Sequence, residues 1–368
     1  MQLTIQKMEV YYNNQLVGYL EMIDEDTIAF QYDTDWIKKG FSISPFSLPL
    51  SDKVYISNSP YFKGLYAVFN DSLPDGWGEF LIRRMLLRKK INFEKLSPLV
   101  RLSLVNQTGL GGLEYLPKQK KDQINETTDL DLIAADINKE LNNRTDGLSL
   151  DNLYKLGGAS GGARPKVHLK INNEEWIIKF AAINESSLVG IEEYKANILA
   201  KECGINVSEF KLFDSKLTKG FFGTKRFDRI GDKKIHVIAL SSILETTHQI
   251  SNLDYIHLFQ VIQKISVNPD DLYEAYRRMC FNVLYGNKDD HGKNHSFIYD
   301  EVKKGYVLSK AYDITNTIDK LEHEMTVNGS GNPTEKELIE VQERMQLSKE
   351  KCLSIIENIK RVINNITL

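Results

Sequence analysis

Over about the first 60 residues apolar and polar positions alternate in short runs, a pattern that predicts β-strands. Met8–Tyr12 and Gln15–Leu20 flank Asn13-Asn14, a hairpin turn, and Thr27–Tyr32 supplies a further strand. Pro45 and Pro49 mark Ile43–Leu50 as an irregular edge. The pattern then changes. Asp71–Gly76 is a turn feeding a helix whose apolar positions are Trp77, Phe80, Leu81, Met85 and Leu86. Arg83, Arg84, Arg88, Lys89 and Lys90 gather on its outer side and end, either as a solvated face complementing the helix C-terminus or as a surface for an acidic partner. Gly109–Pro117 is a glycine turn ending in a strand, Lys118–Asp129 is polar enough for a linker, and Leu130–Ile137 is helical.

In the middle of the chain, Leu156–Lys166 places Gly157, Gly158, Gly161 and Gly162 within six positions. The strand Val167–Ile171, the turn Asn172-Asn173 and the return strand Trp176–Phe180 follow, then an amphipathic helix over Gly190–Ala200. A hairpin is expected at Phe221–Thr224, before Lys225–Arg229. From Ser251 onward helical spacing dominates. Leu253, Tyr255, Ile256, Leu258, Phe259 and Ile262 form one apolar stripe; Leu272, Tyr273, Tyr276, Met279, Cys280, Val283 and Leu284 form another. One or two helices after Pro333 end on Ile355, Ile356, Ile359, Val362, Ile363 and Ile366.

Composition narrows the picture. The 368 residues allow two or three subdomains, and 42% hydrophobic with 26% charged positions fits a globular, soluble chain. A net charge of -3 argues against a dominant nucleic-acid footprint. Cys203, Cys280 and Cys352 are far apart with no CxxC pair, which excludes a zinc or disulfide framework and leaves them as small buried hydrophobes in a reducing compartment. The start of the chain lacks a basic region followed by an apolar core, and no apolar run approaches ~20 residues, so a cytoplasmic location without membrane contact is expected.

The densest chemistry lies in Gly286–Phe297, where two carboxylates, a histidine, a lysine and an asparagine occupy six positions between apolar segments. Asp289 and Asn294 stand five apart, the spacing of a kinase catalytic loop in which Asp takes the substrate hydroxyl proton and Asn holds magnesium. Asp313 follows a β-like run and suits a second magnesium ligand. The plain alternative is a polar turn capped by aspartates. Upstream, the bare backbone at Gly161 and Gly162 can cradle phosphate oxygens, with Arg164 and Lys166 supplying charge; the alternative is a flexible turn. Lys179 lies within an apolar strand, where it either faces solvent or reaches a nucleotide, and Glu192 and Glu193 are both available as its acidic partner. Lys225–Arg229 is either an exposed ion-pair cluster or a hinge that meets adenine through its backbone.

Taken together and in order, these motifs resemble the HipA family of bacterial serine/threonine kinases, the toxins of some toxin–antitoxin pairs. The resemblance spans nearly the whole chain. Val17–Leu20, Phe30–Tyr32, Ser47–Leu50 and Phe69–Gly76 look like the family's N-terminal subdomain, and Gly109–Pro117 like its next strand. Gly161–Lys166 looks like its phosphate loop and Ile178-Lys179 like its ATP lysine. Arg226–Arg229 looks like its hinge block, and Asn287–Phe297 with Tyr312-Asp313 like its catalytic and metal motifs.

The resemblance implies an α+β, bilobal protein-kinase-like fold: an N-terminal subdomain over 1–118, a β-rich N-lobe over 119–229 and an all-helical C-lobe over 230–368. It implies ATP and Mg2+ as cofactors, with Asp289 as base, His291 orienting the catalytic loop, and Asn294 and Asp313 holding the metal. Gly161, Gly162, Ala163, Arg164, Lys166, Lys179, Arg226, Phe227 and Lys293 would form the nucleotide site, while Asp290 is structural. It also implies a protein substrate such as an aminoacyl-tRNA synthetase, and a HipB-like helix-turn-helix antitoxin through which DNA is met indirectly. Two departures stand out. Ala159 occupies the place of the serine that family members autophosphorylate, which moves the expected site to Ser160, and Lys225 replaces an acidic residue before the hinge block. Two other readings fit the same residues: an ATP-binding regulator that transfers nothing, and a kinase of a lipid or small-molecule hydroxyl.

Overall fold

The alternating start of the chain folds as an antiparallel meander. The computed structural model describes residues 3–105, 109–119, 127–143, 147–183, 185–317 and 319–366. In chain order the first elements are β1 (Lys7–Tyr12), β2 (Gln15–Met22), β3 (Ile28–Tyr32), α1 (Thr34–Lys39), β4 (Val54–Ser57), α2 (Ala67–Asn70), α3 (Gly76–Arg88), α4 (Pro98–Leu104) and β5 (Leu113–Leu116). Next come α5 (Leu130–Leu141), α6 (Gly147–Gly157), β6 (Lys166–Ile171), β7 (Glu174–Lys179), α7 (Val189–Glu202), β8 (Phe210–Phe213) and β9 (Phe221–Lys225). The short strands β10 (Arg229–Ile230), β11 (Lys233–Lys234) and β12 (Val237–Ala239) lead to α8 (Leu240–Ile243), α9 (Tyr255–Ile265) and α10 (Asp271–Tyr285). The chain closes with β13 (Ser296–Asp300), β14 (Gly305–Leu308), α11 (Glu335–Arg344) and α12 (Lys349–Ile366).

The chain divides into two compact units, Met1–Gly190 with Lys211–Ile238, and Ile191–Phe210 with Ala239–Leu368. Residues 191–210, expected with an N-lobe, therefore group with the C-terminal part.

The first unit holds a five-stranded sheet in the order β4-β3-β2-β1-β5. Asn13 and Asn14, at φ 45° and 66°, make the left-handed turn that joins β1 to β2. Met8 and Val10 on β1 and Ile28 and Phe30 on β3 are buried with period-two alternation, while Val17 and Leu20, three apart on β2, are both buried across the register shift between Val10 and Tyr11. Ile43–Leu50 carries only an isolated bridge, Ser44 to Leu48. A second sheet runs β6-β7-β9-β8. Its β6–β7 hairpin turns on Asn172 and Asn173, again at positive φ. Phe221–Thr224 is not the hairpin its glycine suggested. It forms β9, pairing Ile177 with Thr224 and Ile178 with Gly223. Gly223 serves close packing rather than turning, since a Cβ there would lie 2.3 Å from the Phe213 ring. The expected linker 118–129 falls largely on residues 120–126, outside the described ones.

The basic side of α3 is largely ion-paired within this unit. Arg83 reaches Glu79 and Glu94, Arg84 reaches Glu140 at 3.4 Å, and Arg88 reaches Asp151 at 3.3 Å.

The second unit is mostly helical, but the expectation of an all-helical C-lobe is incomplete. β13 and β14 pair antiparallel from Phe297–Leu308 to Asp300–Gly305. Helix α9 starts at Asp254, whose carboxylate accepts the Ile256 N–H at 2.8 Å. Of the α10 stripe, Tyr276, Met279 and Cys280 are fully buried, beside Ala275 and Phe281, whereas Leu272, Tyr273, Val283 and Leu284 are only half-buried. Cys203, Cys280 and Cys352 are free and buried, as expected. Helix α10 ends at Gly286, at φ 83°, whose N–H donates to Asn282 O at 3.0 Å. That left-handed cap releases the chain directly into the acidic segment.

Candidate functional site

In the first unit the glycine-rich segment packs backbone to backbone on the start of α3. The Trp77 N–H donates to Gly162 O at 2.9 Å, and Trp77 Nε1 donates to Lys166 O at 3.1 Å. The Asp75 carboxylate accepts the Gly162 N–H. One of the N–H groups expected to cradle phosphate therefore already meets an anion in this structure. Gly162 has φ 78°, the left-handed conformation that suits glycine. Ser160 is buried, and its Oγ donates to Gly157 O at 2.5 Å. Gly162 and Ala163 are exposed at the tip, while Arg164 turns aside to pair with Glu185 at 2.9 Å.

Lys166 and Lys179 are directly opposite in the β6–β7 register, so both side chains stand on one face of the hairpin. Both are buried. Lys166 Nζ donates to Gly161 O at 2.6 Å, and Lys179 Nζ lies 5.8 Å from the centre of the Phe222 ring. Like charges at opposed positions repel, and an anion beside them relieves that cost.

Arg226–Arg229 is not an exposed cluster. The Arg226 and Asp228 side chains are 1% and 2% exposed, and Arg226 Nη2 lies 2.6 Å from the Asp228 carboxylate. Arg226 Nη2 also donates to Gly109 O at 2.6 Å, and the Gly111 N–H donates to Asp228 at 2.7 Å. Arg229 Nη1 donates to Gly111 O at 2.9 Å. The block fastens the 109–111 turn. The Arg226 N–H itself donates to Glu175 O at 2.8 Å, and Phe227 is half-buried. Lys225 pairs with Glu174.

In the second unit, residues 286–295 fold into a turn that presents Asp289. Asn294 Nδ2 donates to Asp289 O at 2.7 Å, which leaves its amide oxygen as an acceptor. The His291 carbonyl accepts the Asn294 N–H at 2.8 Å and starts the 3-10 turn Gly292–Asn294. Its ring lies 5.2 Å from that of His248. The Lys293 carbonyl accepts the Tyr312 hydroxyl at 2.6 Å. Tyr312 thereby joins this turn to Asp313, which sits at φ 54°, a left-handed position uncommon for a non-glycine residue. Asn287, Asp290, Asn294, Tyr312 and Asp313 line one pocket.

Asp290, expected to be structural, is tied into the fold. It is buried and accepts from the Tyr255 hydroxyl at 2.8 Å, pairs with His323 Nδ1 at 2.8 Å, and accepts the Glu324 N–H at 3.1 Å. His295 is buried beside it, and that burial pushes its ring down to about 4, so it is neutral at physiological pH. Of the two glutamates on α7, Glu193 is buried and Glu192 exposed.

An asparagine oxygen and a carboxylate on one pocket fit a magnesium ion. Magnesium takes one or two such oxygen ligands and completes its shell with water and phosphate. Among the described residues, no cluster of three His, Cys, Asp or Glu would hold a metal unaided.

The contacts of Asp75 and Lys320 were not read from the sequence. Lys320 Nζ donates to Asp289 Oδ1. These pairings span 87 and 31 residues, with no motif to announce them.

Two units of antiparallel sheet and helix, one with a glycine loop beside opposed lysines and one with an Asp-Asn-Asp set, define a mixed α/β chain of the bilobal kinase-like class. Residues 8–116 match the HipA N-terminal domain and residues 158–366 the HipA-like C-terminal domain. The chain belongs to the HipA family.

The serine/threonine-protein kinase toxin HipA of Shewanella oneidensis is 24% identical over 331 residues, 79% of this chain and 71% of that protein. A Sinorhizobium fredii protein with a provisional kinase name, Y4dM, is 29% identical over 174 residues, 44% of this chain and 42% of its own length. The match therefore spans less than half of that relative. The fold is that of the Shewanella oneidensis HipA solved with HipB and operator DNA, at a TM-score of 0.74 and 20% identity over 98% of this chain and 90% of that one.

Proposed function

We propose that this chain is an ATP- and magnesium-dependent serine/threonine protein kinase that acts as the toxin of a toxin–antitoxin module in the cytoplasm. The observation that carries the reading is Asn294, bonded to the Asp289 carbonyl, lining one pocket with Asp313. Asp289 takes the proton of a Ser or Thr hydroxyl as that oxygen attacks the γ-phosphate. Asn294 and Asp313 would hold magnesium, which would supply positive charge to the nucleotide phosphates. Lys166 and Lys179 contact phosphate oxygens with backbone from Gly161 to Ala163, and Arg164 and Lys293 add positive charge for the nucleotide. The backbone of Arg226 and Phe227 serves adenine, the Arg226 side chain serves the fold, and His291 shapes the loop.

The substrate is a translation component of the aminoacyl-tRNA synthetase class, such as the glutamyl enzyme. The partner is a HipB-like antitoxin that brings the complex to DNA; the Shewanella oneidensis HipA, a fold relative solved with HipB and operator DNA, supports this. Ser160 is an autophosphorylation site that reacts only after its buried hydroxyl leaves Gly157 O.

The test is label transfer from γ-labelled ATP with magnesium in a lysate of a sensitive host. Native protein should mark at least one protein band, and Asp289→Asn should lower that rate by roughly 10²–10⁴-fold. ATP binding without any label, from a protein whose loop carries no phosphate by mass spectrometry, would leave the regulatory reading instead.

A further inference from the structure

The segment after Asp313 is laced along the loop that carries the base. Thr317 Oγ1 accepts the N–H groups of Lys288 at 2.7 Å and Asp289 at 3.1 Å, and the Thr317 N–H donates to Gly286 O at 3.0 Å. Lys288 Nζ donates to the carbonyls of Lys320 at 2.8 Å and Leu321 at 3.2 Å. The Glu324 N–H donates to Lys288 O at 3.1 Å, and Asp290 pins His323 from below. Backbone contacts on both sides therefore place Lys320. Its ammonium donates to Asp289 Oδ1 and to Glu324 Oε1, the latter at 2.9 Å, while Ser251 Oγ donates to the other Glu324 oxygen at 2.5 Å. Among the described residues, Lys320 is the one side chain on the Asp289 carboxylate.

We propose that Lys320 is a positioning residue for phosphoryl transfer: it clamps Oδ1 of Asp289 so that Oδ2 meets the acceptor hydroxyl. The inference rests on the kinase reading and deepens it. In the step, the hydroxyl proton passes to Oδ2 as its oxygen bonds to the γ-phosphorus. The bond from that phosphorus to the β–γ bridging oxygen breaks, and ADP leaves with the electron pair.

Magnitudes separate this role from a structural one. The Lys320 and Asp289 side chains are 38% and 41% exposed. Ion pairs that open to water contribute little to stability. Misplacing a reacting group by about 1 Å can cost about 10²-fold in rate. Loss of Lys320 should thus appear in turnover and leave the fold intact.

The experiment uses the full chain and the initial rate of label transfer from γ-labelled ATP into the lysate bands that the native protein marks. Lys320→Met should lower the rate at saturating ATP on the order of tenfold or more, with the ATP KM within about twofold and Tm unchanged. Lys320→Arg, which keeps the charge and can still reach the carboxylate, should recover most of the rate. Adding Lys320→Met to Asp289→Asn should cost nothing further, because the lysine acts through that carboxylate. A native rate in Lys320→Met, an equal loss in both backgrounds, or a loss that Lys320→Arg fails to recover would overturn the inference alone. The absence of any band that depends on the native protein would overturn the kinase reading beneath it.

Discussion

Asp228 shows how much one buried carboxylate organises. Burial alone would push its carboxyl up, but Arg226 and Arg229, with hydrogen bonds from Arg226 and the Gly111 N–H, hold it well below the usual carboxylate range. A depressed folded-state pKa means that its contribution is present above the unfolded value of about 3.9 and is lost as pH falls through the folded one. Asp228→Asn leaves Arg226 buried without its partner charge, and uncompensated buried charge costs about 3–5 kcal/mol. Urea unfolding should register that loss at neutral pH; a change below about 1 kcal/mol would show that Arg226 escapes to water instead. The sequence suggested charge pairing at this block but not its burial. What buries it is the turn at Gly109, 117 residues upstream, and no local pattern encodes that contact.

At the scale of elements, the first turn of α3 is the bed of the glycine loop. A Cβ on Gly78 would lie 2.3 Å from Ser160 O, and one on Gly76, at φ 45°, would lie 2.4 Å from Gly162 O. Inside an exposed helix, Gly→Ala gains about 1 kcal/mol. Here the clash must lift the loop, so Gly78→Ala should weaken ATP affinity on the order of tenfold. Titration with a fluorescent ATP analogue measures it, and native affinity would separate loop placement from nucleotide binding. The Asn-Asn hairpins, the helix after Gly76 and the middle of the α10 stripe, Tyr276, Met279 and Cys280, were legible because each is set by residues close in sequence. Phe221–Thr224 was misjudged because a glycine that admits a neighbouring ring looks, in sequence, like one that turns. The polar turn over 286–295 was legible as a dense cluster from its residues, whereas Lys320 was not, because its contact with Asp289 comes from a segment of no regular period.

Across the whole molecule, neutral histidines are buried in both units. Burial holds His236 in the first unit and His295 in the second down to about 4, and His168 well below its ordinary value, with Arg226 adding to that effect. An unfolded histidine titrates near 6.5. Between about pH 6.5 and 4 the unfolded chain therefore binds protons that the folded chain refuses, and stability falls as pH falls through that window. Full titration of a single such group corresponds to about 3 kcal/mol, so even two exceed half the stability of a marginal domain. The depressed carboxyls act lower on the pH scale: Glu114, which burial would raise, is drawn down to about 2 by Lys118 and Lys234, so its loss comes below the unfolded carboxylate value. Denaturant unfolding should be flat above about pH 7 and drop by several kcal/mol by pH 5, before most carboxylates titrate. Equal stability at pH 7.5 and pH 5 would mean that these rings find water or a proton partner in the folded chain. A drop at pH 5 that His236→Gln and His295→Gln each reduce would assign it to the two rings, one in each unit.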